Sequence, residues 1–331
     1  KREVKMYHII VNPSSGGKKS KRQLRAFVRI LESRGAEYIV HSTSRPGEAR
    51  ELAATLTRKA DCGAAKSPEP TAEAAVSQAD KPVCPVQGEG AASSLCGAPE
   101  PEIIVVGGDG TLHEVLNGLS DPSACRLGLI PAGTGNDFAA AAGIPLNAEE
   151  AAGLILDGGT KETDYLKIGD LRCMNVGGMG MDVDVLVRCK KGKIKGKIKY
   201  FLSLLQSLFA FKGYRVTIES EGRKEEHRAL IAVACNGRQI GGGIRICPAS
   251  VIDDGKIDVM AVDCLSKRQI LRAFGYLMKG KVLEYPAAEH FRCERVKITP
   301  AQPCTMQMDG ELYDGVDFDV SIGRGLKMYR P

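Results

Sequence analysis

The chain opens with a short β-branched apolar run, Tyr7 to Val11, that stops at Asn12-Pro13-Ser14-Ser15-Gly16-Gly17. Leu24, Phe27, Val28 and Leu31 then recur at helical spacing in a basic stretch that closes near Gly35. Apolar positions three and four apart share one helix face, so an amphipathic helix with one buried side is predicted. A strand from Tyr38 to Val40 and a helix beginning near Pro46 follow. Strand, glycine-rich turn, helix, strand is the opening of a parallel α/β sheet. Periodicity then disappears into Ala, Pro, Ser, Glu and Gly, which predicts a flexible surface insertion over 60–101. Order returns with Ile103-Ile104-Val105-Val106, apolar on both faces as a buried parallel strand is. It runs into Gly107-Gly108-Asp109-Gly110-Thr111 and a helix through Leu119. Leu127 to Ile130 likewise runs into Pro131-Ala132-Gly133-Thr134-Gly135-Asn136-Asp137 and a helix. Asn147, with Glu150 three residues on, marks the start of a helix over 148–156.

After Thr163 the texture changes to short strands between Gly- and Asp-rich turns. They are predicted at 165–168, 215–219, 229–234, 257–262, 296–299 and 316–322, with helices near 200–211 and 267–278. The division that follows is an α/β domain over 1–162 and a mostly β domain over 163–322. The chain end, 323–331, is left open to return to the first domain.

Composition narrows the class. A chain of 331 residues exceeds what one core usually fills, and 43% hydrophobic with 26% charged residues excludes a disordered or fibrous chain. No apolar run approaches the ~20 residues of a membrane-spanning helix. The start, Lys1-Arg2-Glu3-Val4-Lys5, leads straight into a strand, so no signal peptide and a cytoplasmic location are expected. The net charge of +6 suits phosphate ligands or an anionic membrane surface and is too small to argue for nucleic acid. Eleven cysteines without a CxxC pair read as reduced thiols.

The chemistry lies in the glycine turns. In a parallel sheet they stand at the carboxyl ends of strands, where ligands bind. Glycine lets main-chain N–H groups and a helix N-terminus approach a phosphate, and three such turns point to a nucleotide. A P-loop fails, because Asn12 and Lys19 stand where Gly and Ser or Thr are needed; the dinucleotide fingerprint fails at His113. Asp109 inside a phosphate turn makes sense if magnesium stands between them, so a magnesium nucleotide is expected.

Gly107-Gly108-Asp109-Gly110-Thr111 with Glu114, and Gly133-Thr134-Gly135-Asn136-Asp137-Phe138, resemble the two signature turns of the diacylglycerol kinase catalytic family. Asn12-Pro13-x-Ser15-Gly16, Asn236, Gly241-Gly242-Gly243, Pro248, the run Asp253 to Asp258 and Asp309-Gly310-Glu311 extend the resemblance over nearly the whole chain outside the insertion. The family includes bacterial lipid kinases and sphingosine and ceramide kinases. The resemblance implies an α/β ATP-binding domain of the NAD kinase and phosphofructokinase kind, a C-terminal β-sandwich and a cleft active site. It implies ATP contacts at Asn12, Pro13, Ser14, Ser15, Gly16, Thr43, Gly108, Asp109, Gly110, Thr111, Leu112, His113, Glu114 and Thr134, with Asp137 among the nucleotide-side carboxylates. It implies that Asp309 and Glu311 flank the acceptor hydroxyl, with Glu311 favoured as the base, and that Val251, Asp254 and Lys256 hold a structural Mg2+. His113 and Ala140 depart from the family's usual Asn and Arg.

Two features stay open on the residues alone. Asp137 and Asp164 read equally as turn or cap aspartates, and His113 as a polar contact at a helix start. The run Lys190 to Lys199, six lysines beside an apolar stretch, suits a peripheral seat on an anionic inner-membrane surface or a solvated loop. The expected activity is phosphoryl transfer from ATP to a lipid hydroxyl, diacylglycerol first. Phosphatidylglycerol, a sphingoid base or ceramide is the alternative acceptor, and NAD kinase or a non-catalytic nucleotide sensor the alternative function. A homodimer stays open.

Overall fold

The computed structural model describes residues 5–58, 100–180, 183, 213–263 and 266–331. The expected insertion up to residue 99, the lysine run 190–199 and the helical stretch 200–211 lie outside the described residues.

In the first half, β1 (Met6–Val11), β2 (Glu37–Ser42), β3 (Glu102–Gly107) and β4 (Arg126–Pro131) pair in parallel in the order β2-β1-β3-β4. Helices α1 (Lys18–Ser33), α2 (Glu48–Thr57), α3 (Asp109–Gly118), α4 (Asp137–Ala141) and α5 (Ala148–Asp157) connect and cover them. Every residue of β3 is buried, which explains its unbroken apolar run. α1 buries Ser20, Gln23, Phe27 and Leu31; of the predicted stripe Phe27 and Leu31 are buried, while Leu24 and Val28 are half-buried at its edge. Gln23 is tolerated there because its amide donates to the carbonyls of Pro131 and Leu146. Asn147 caps α5, accepting from the N–H groups of Glu149 and Glu150.

The second half is antiparallel. It contains β5 (Thr160–Ile168), β6 (Leu171–Cys173), β7 (Val176–Gly180), β8 (Tyr214–Ser220), β9 (Arg223–Cys235), β10 (Ile257–Asp263), α6 (Lys267–Met278), β11 (Ala288–Cys293), β12 (Arg295–Pro300), β13 (Thr305–Met308), β14 (Glu311–Asp314) and β15 (Asp319–Tyr329). Along β9, Ala232 and Ala234 face one apolar cluster, with Leu166, Ile218 and Val320. Ile231 and Val233 face another, with Met260 and Ile270 of α6. This period-two division gives the sandwich its two layers.

The structure departs from the predicted strands at two places. β7, Val-Gly-Gly-Met-Gly, is a buried strand absent from the predicted set. A Cβ on Gly178 would stand 2.7 Å from Val233 Cα, so glycine is what lets β7 approach β9. The last strand is not 316–322 but 319–329, because its register shifts between Gly323 and Leu326 and the strand continues beyond the glycines. β15 also pairs with both halves: antiparallel with β5 and β12, and parallel with β4 through Lys327 and Met328. The Tyr329 hydroxyl donates to buried Glu102 on β3 at 2.6 Å, and Arg330 binds Thr163 and Asp253. No helix among the described residues is long and apolar enough to cross a membrane.

Candidate active site

The turns after β1, β3 and β4 touch one another. A Cβ on Gly108 would stand 2.8 Å from Gly133 Cα, one on Gly133 2.5 Å from Gly108 Cα, and one on Gly16 would collide with the Ala132 carbonyl. Only glycine permits this stacking, which brings three sets of main-chain groups to one corner of the sheet. Asn12 holds the first turn by accepting from Ser14 N–H, and its own N–H donates to Val106 of β3. Thr43, just past β2, donates through N–H to the Val11 carbonyl beside that turn. Ser14, Gly16 and Thr134 are exposed on this corner, while Pro13, Ser15 and Gly110 are half-buried.

Asp109 and Asp137 hold protein groups. Asp109 accepts from the N–H groups of Asp137 and Phe138 at 3.1 and 3.0 Å, so its carboxylate caps α4 across the two signature turns. Asp137 accepts from the Gln239 side chain and from the N–H groups of Gly242 and Gly243. It therefore clasps the loop after β9 that carries the glycine triplet. Burial pushes both carboxyls above the ordinary aspartate value, more than those hydrogen bonds hold them down. Asp109, expected in a magnesium network, and Asp137, expected on the nucleotide side, thus both join turns in this structure.

The second half answers with the hairpin β13–β14. Asp309 and Gly310 both have positive φ, 53° and 86°, as a two-residue type I′ turn requires. The turn separates the two acidic neighbours. The Asp309 side chain is 2% exposed and accepts from Met174 N–H, Asn175 N–H and the Cys173 thiol, with His113 Nδ1 at 2.8 Å. Burial alone would raise its carboxyl; His113, the Met174 N–H and the Cys173 thiol more than offset that and hold it below the usual aspartate value. Glu311 is exposed, and its Oε1 lies 3.5 Å from where a Cβ of Gly110 would stand. An extended segment would place both carboxylates on one face; the turn sends one inward and leaves the other at the first signature turn.

Other expected ATP contacts also have their side chains engaged elsewhere. His113 is 3% exposed, with Tyr313 Oη 2.6 Å from Nε2, so its ring joins α3 to the hairpin instead of facing phosphate. Tyr313 is pushed up to about 12 by burial and the charges of Glu311 and Asp309. Leu112 is a core residue, Thr111 is buried against Gly107, and Glu114 accepts from Ala49 N–H at the start of α2. Asp164 accepts from Gly255 N–H at 2.6 Å. Asp254 pairs with the Arg292 guanidinium and accepts from Lys256 N–H. Its carboxylate, expected with Val251 and Lys256 to hold Mg2+, is thus engaged by protein groups here. Cys173, Gln239 and Tyr313 were missed in the sequence because no local spacing marks them; only the approach of distant elements makes them part of the site.

The diacylglycerol kinase catalytic domain family matches residues 6–64 and 71–168, and the YegS C-terminal NAD kinase beta sandwich-like domain family matches residues 175–323. A Xanthomonas campestris protein named Probable lipid kinase YegS-like is 34% identical over 244 residues, covering 69% of this chain and 78% of that one. A Bacillus subtilis protein named Diacylglycerol kinase is 26% identical over 317 residues, covering 95% and 91%. A crystal structure titled as a diacylglycerol kinase from Bacillus anthracis shares the fold, with TM-score 0.71 at 23% identity over 100% of this chain and 98% of that one.

Proposed function

The chain belongs to the diacylglycerol kinase catalytic family and is an ATP-using lipid kinase, and from that premise we propose that its acceptor is diacylglycerol, which it converts to phosphatidic acid. The observation that carries the reading is the position of Glu311, an exposed carboxylate of the second half lying against Gly110 of the first signature turn. The stacked turns offer main-chain N–H groups to the ATP phosphates. The acceptor hydroxyl, whose pKa is far above neutrality, sits between them and Glu311. As its oxygen bonds to the γ-phosphorus, the P–O bond to ADP breaks, the electron pair leaves with ADP, and the hydroxyl proton passes to the Glu311 carboxylate. Asp309 does not share this task. It is a positioning residue whose carboxylate anchors the hairpin to Met174, Asn175 and His113, and so fixes Glu311 two residues on.

The choice of diacylglycerol is supported by the name of the Bacillus subtilis relative, which matches over most of both chains. Incubation with γ-labelled ATP and diacylglycerol in mixed micelles is expected to yield labelled phosphatidic acid. Parallel incubations with phosphatidylglycerol, a sphingoid base and ceramide test the acceptor. Product from one of these and none from diacylglycerol would overturn the choice of lipid. The lysine run 190–199 supports a further part of the proposal, a peripheral seat on anionic membrane.

A further inference from the structure

Outside the site above, Cys247, Asp258 and His290 bring their ligand atoms within 4.8 Å of one another. They come from three elements: the loop after β9, β10 and β11. Antiparallel pairing aligns Asp258 with Cys235 on β9 on one side, and Met260 with His290 on the other. Cys235, opposite Asp258 on β9, is likewise fully buried. Cys247 is fully buried and the Asp258 side chain is 1% exposed, while His290 is 25% exposed and gives an ion its route from solvent. His290 Nε2 lies 2.7 Å from Asp258 Oδ1, but Asp258 Oδ2 is buried with no hydrogen-bond partner. Arg292 Nε, at 3.7 Å from Oδ1, is beyond hydrogen-bond distance. A buried carboxylate oxygen left unpaired is costly, and a cation beside it removes that cost.

We propose that Cys247, Asp258 and His290, whose ligand atoms already meet, bind a zinc ion. Thiolate and imidazole are the ligands that zinc selects, whereas calcium and magnesium take oxygen. The bound thiol releases its proton to solvent, and the anionic ligands then offset the charge of the metal. With Cys247 and Asp258 buried and His290 a quarter exposed, the ion would sit inside the fold as a structural site. A second cluster, Glu225, His227 and Glu289, is a weaker candidate, because the Arg223 guanidinium already bridges Glu225 and Glu289.

The position gives the ion a task. Cys247 N–H donates to the Arg238 carbonyl, and Arg238 Nε donates to the Ser250 carbonyl, so the loop after β9 closes on itself at Cys247. The same loop gives the Gly242 and Gly243 N–H groups to Asp137. Zinc would tie its far end to β10 and β11 and hold the glycine triplet against the second signature turn.

The test uses tag-free full-length chain, reduced, equilibrated with Zn2+ and desalted, with metal measured by mass spectrometry. About one zinc per chain is expected. Cys247→Ser and His290→Ala should each fall to background while keeping the wild-type circular dichroism spectrum. Loading with Co2+ should give a thiolate-to-cobalt charge-transfer band that Cys247→Ser lacks. The wild-type stoichiometry and the cobalt spectrum need no variant, so misfolding of either variant leaves the proposal exposed to test. A zinc-free wild type, or zinc retained by Cys247→Ser, would overturn it. So would a cobalt spectrum without sulfur ligation, or rapid alkylation of Cys247 in zinc-loaded protein, which would identify a metal-free thiolate held by His290.

Discussion

At the scale of single residues, the pair Asp309 and Glu311 shows how two carboxylates two apart come to differ. Asp309 is enclosed by donors and Glu311 is exposed at Gly110. Glu311→Gln is therefore expected to lower kcat by ~10² or more, the scale of lost general-base help, with the KM for ATP near wild type. Steady-state kinetics check this, and full kcat in the variant would place the base elsewhere. Asp309→Asn should instead lose stability first, on the order of 3 kcal/mol for breaking a buried charge network, with lower Tm and lower kcat together. Its pH signature has a definite sign. Because the folded state holds the Asp309 carboxyl below its ordinary value, the stabilisation is present above the ordinary aspartate pKa and is lost as pH falls through the folded value. The Tm gap between wild type and Asp309→Asn should be full above about pH 4 and should close at lower pH. A gap constant with pH would mean that the carboxylate charge is not what matters.

At the scale of elements, the glycine turns and short α4 act as one unit held by Asp109. Asp109→Ala strands the N–H groups of Asp137 and Phe138, each costing about 1–3 kcal/mol when left unpaired. The variant should melt several degrees lower, a result that thermal unfolding reads directly. Wild-type Tm with lost activity would instead return Asp109 to a metal role. Gly133→Ala tests the stacking itself. Its Cβ meets Gly108 Cα at 2.5 Å and Asn136 Oδ1 at 2.9 Å, and both turns must yield. Overpacking of about 1–3 kcal/mol, concentrated at the nucleotide corner, predicts roughly tenfold or weaker ATP binding by calorimetry.

At the scale of the molecule, β15 makes the two halves one sheet. Tyr329→Ala removes a fully packed ring and its hydrogen bond to Glu102, at about 3–5 kcal/mol. The loss should shift one shared unfolding transition, with probes of either half moving together; two separated transitions would show that the halves unfold independently. If the lysine run 190–199 seats the enzyme on membrane, replacing Lys193, Lys195 and Lys197 by Gln should weaken sedimentation with anionic vesicles and flatten its salt dependence. Unchanged vesicle binding would mean those lysines are only solvated.

How much was legible in the sequence follows the range of the interactions involved. β3 could be read from Ile103 to Val106, α1 from Phe27 and Leu31 and the α5 cap from Asn147, because each rests on spacing within one segment. The glycine turns could be read for the same reason, since Gly108 and Gly133 announce backbone that must come close to something. What they come close to is each other, and that was not legible. β7 was hidden because its glycines serve contact with β9, and β15 because a bulge carries it past two glycines into the other half. The split between Asp309 and Glu311, the capture of His113 by the hairpin, and the meeting of Cys247, Asp258 and His290 depend on side chains more than thirty residues apart in most pairs. Local pattern dictates which backbone is buried and where it turns. Which carboxylate ends up enclosed is decided only when distant strands supply the N–H groups that enclose it.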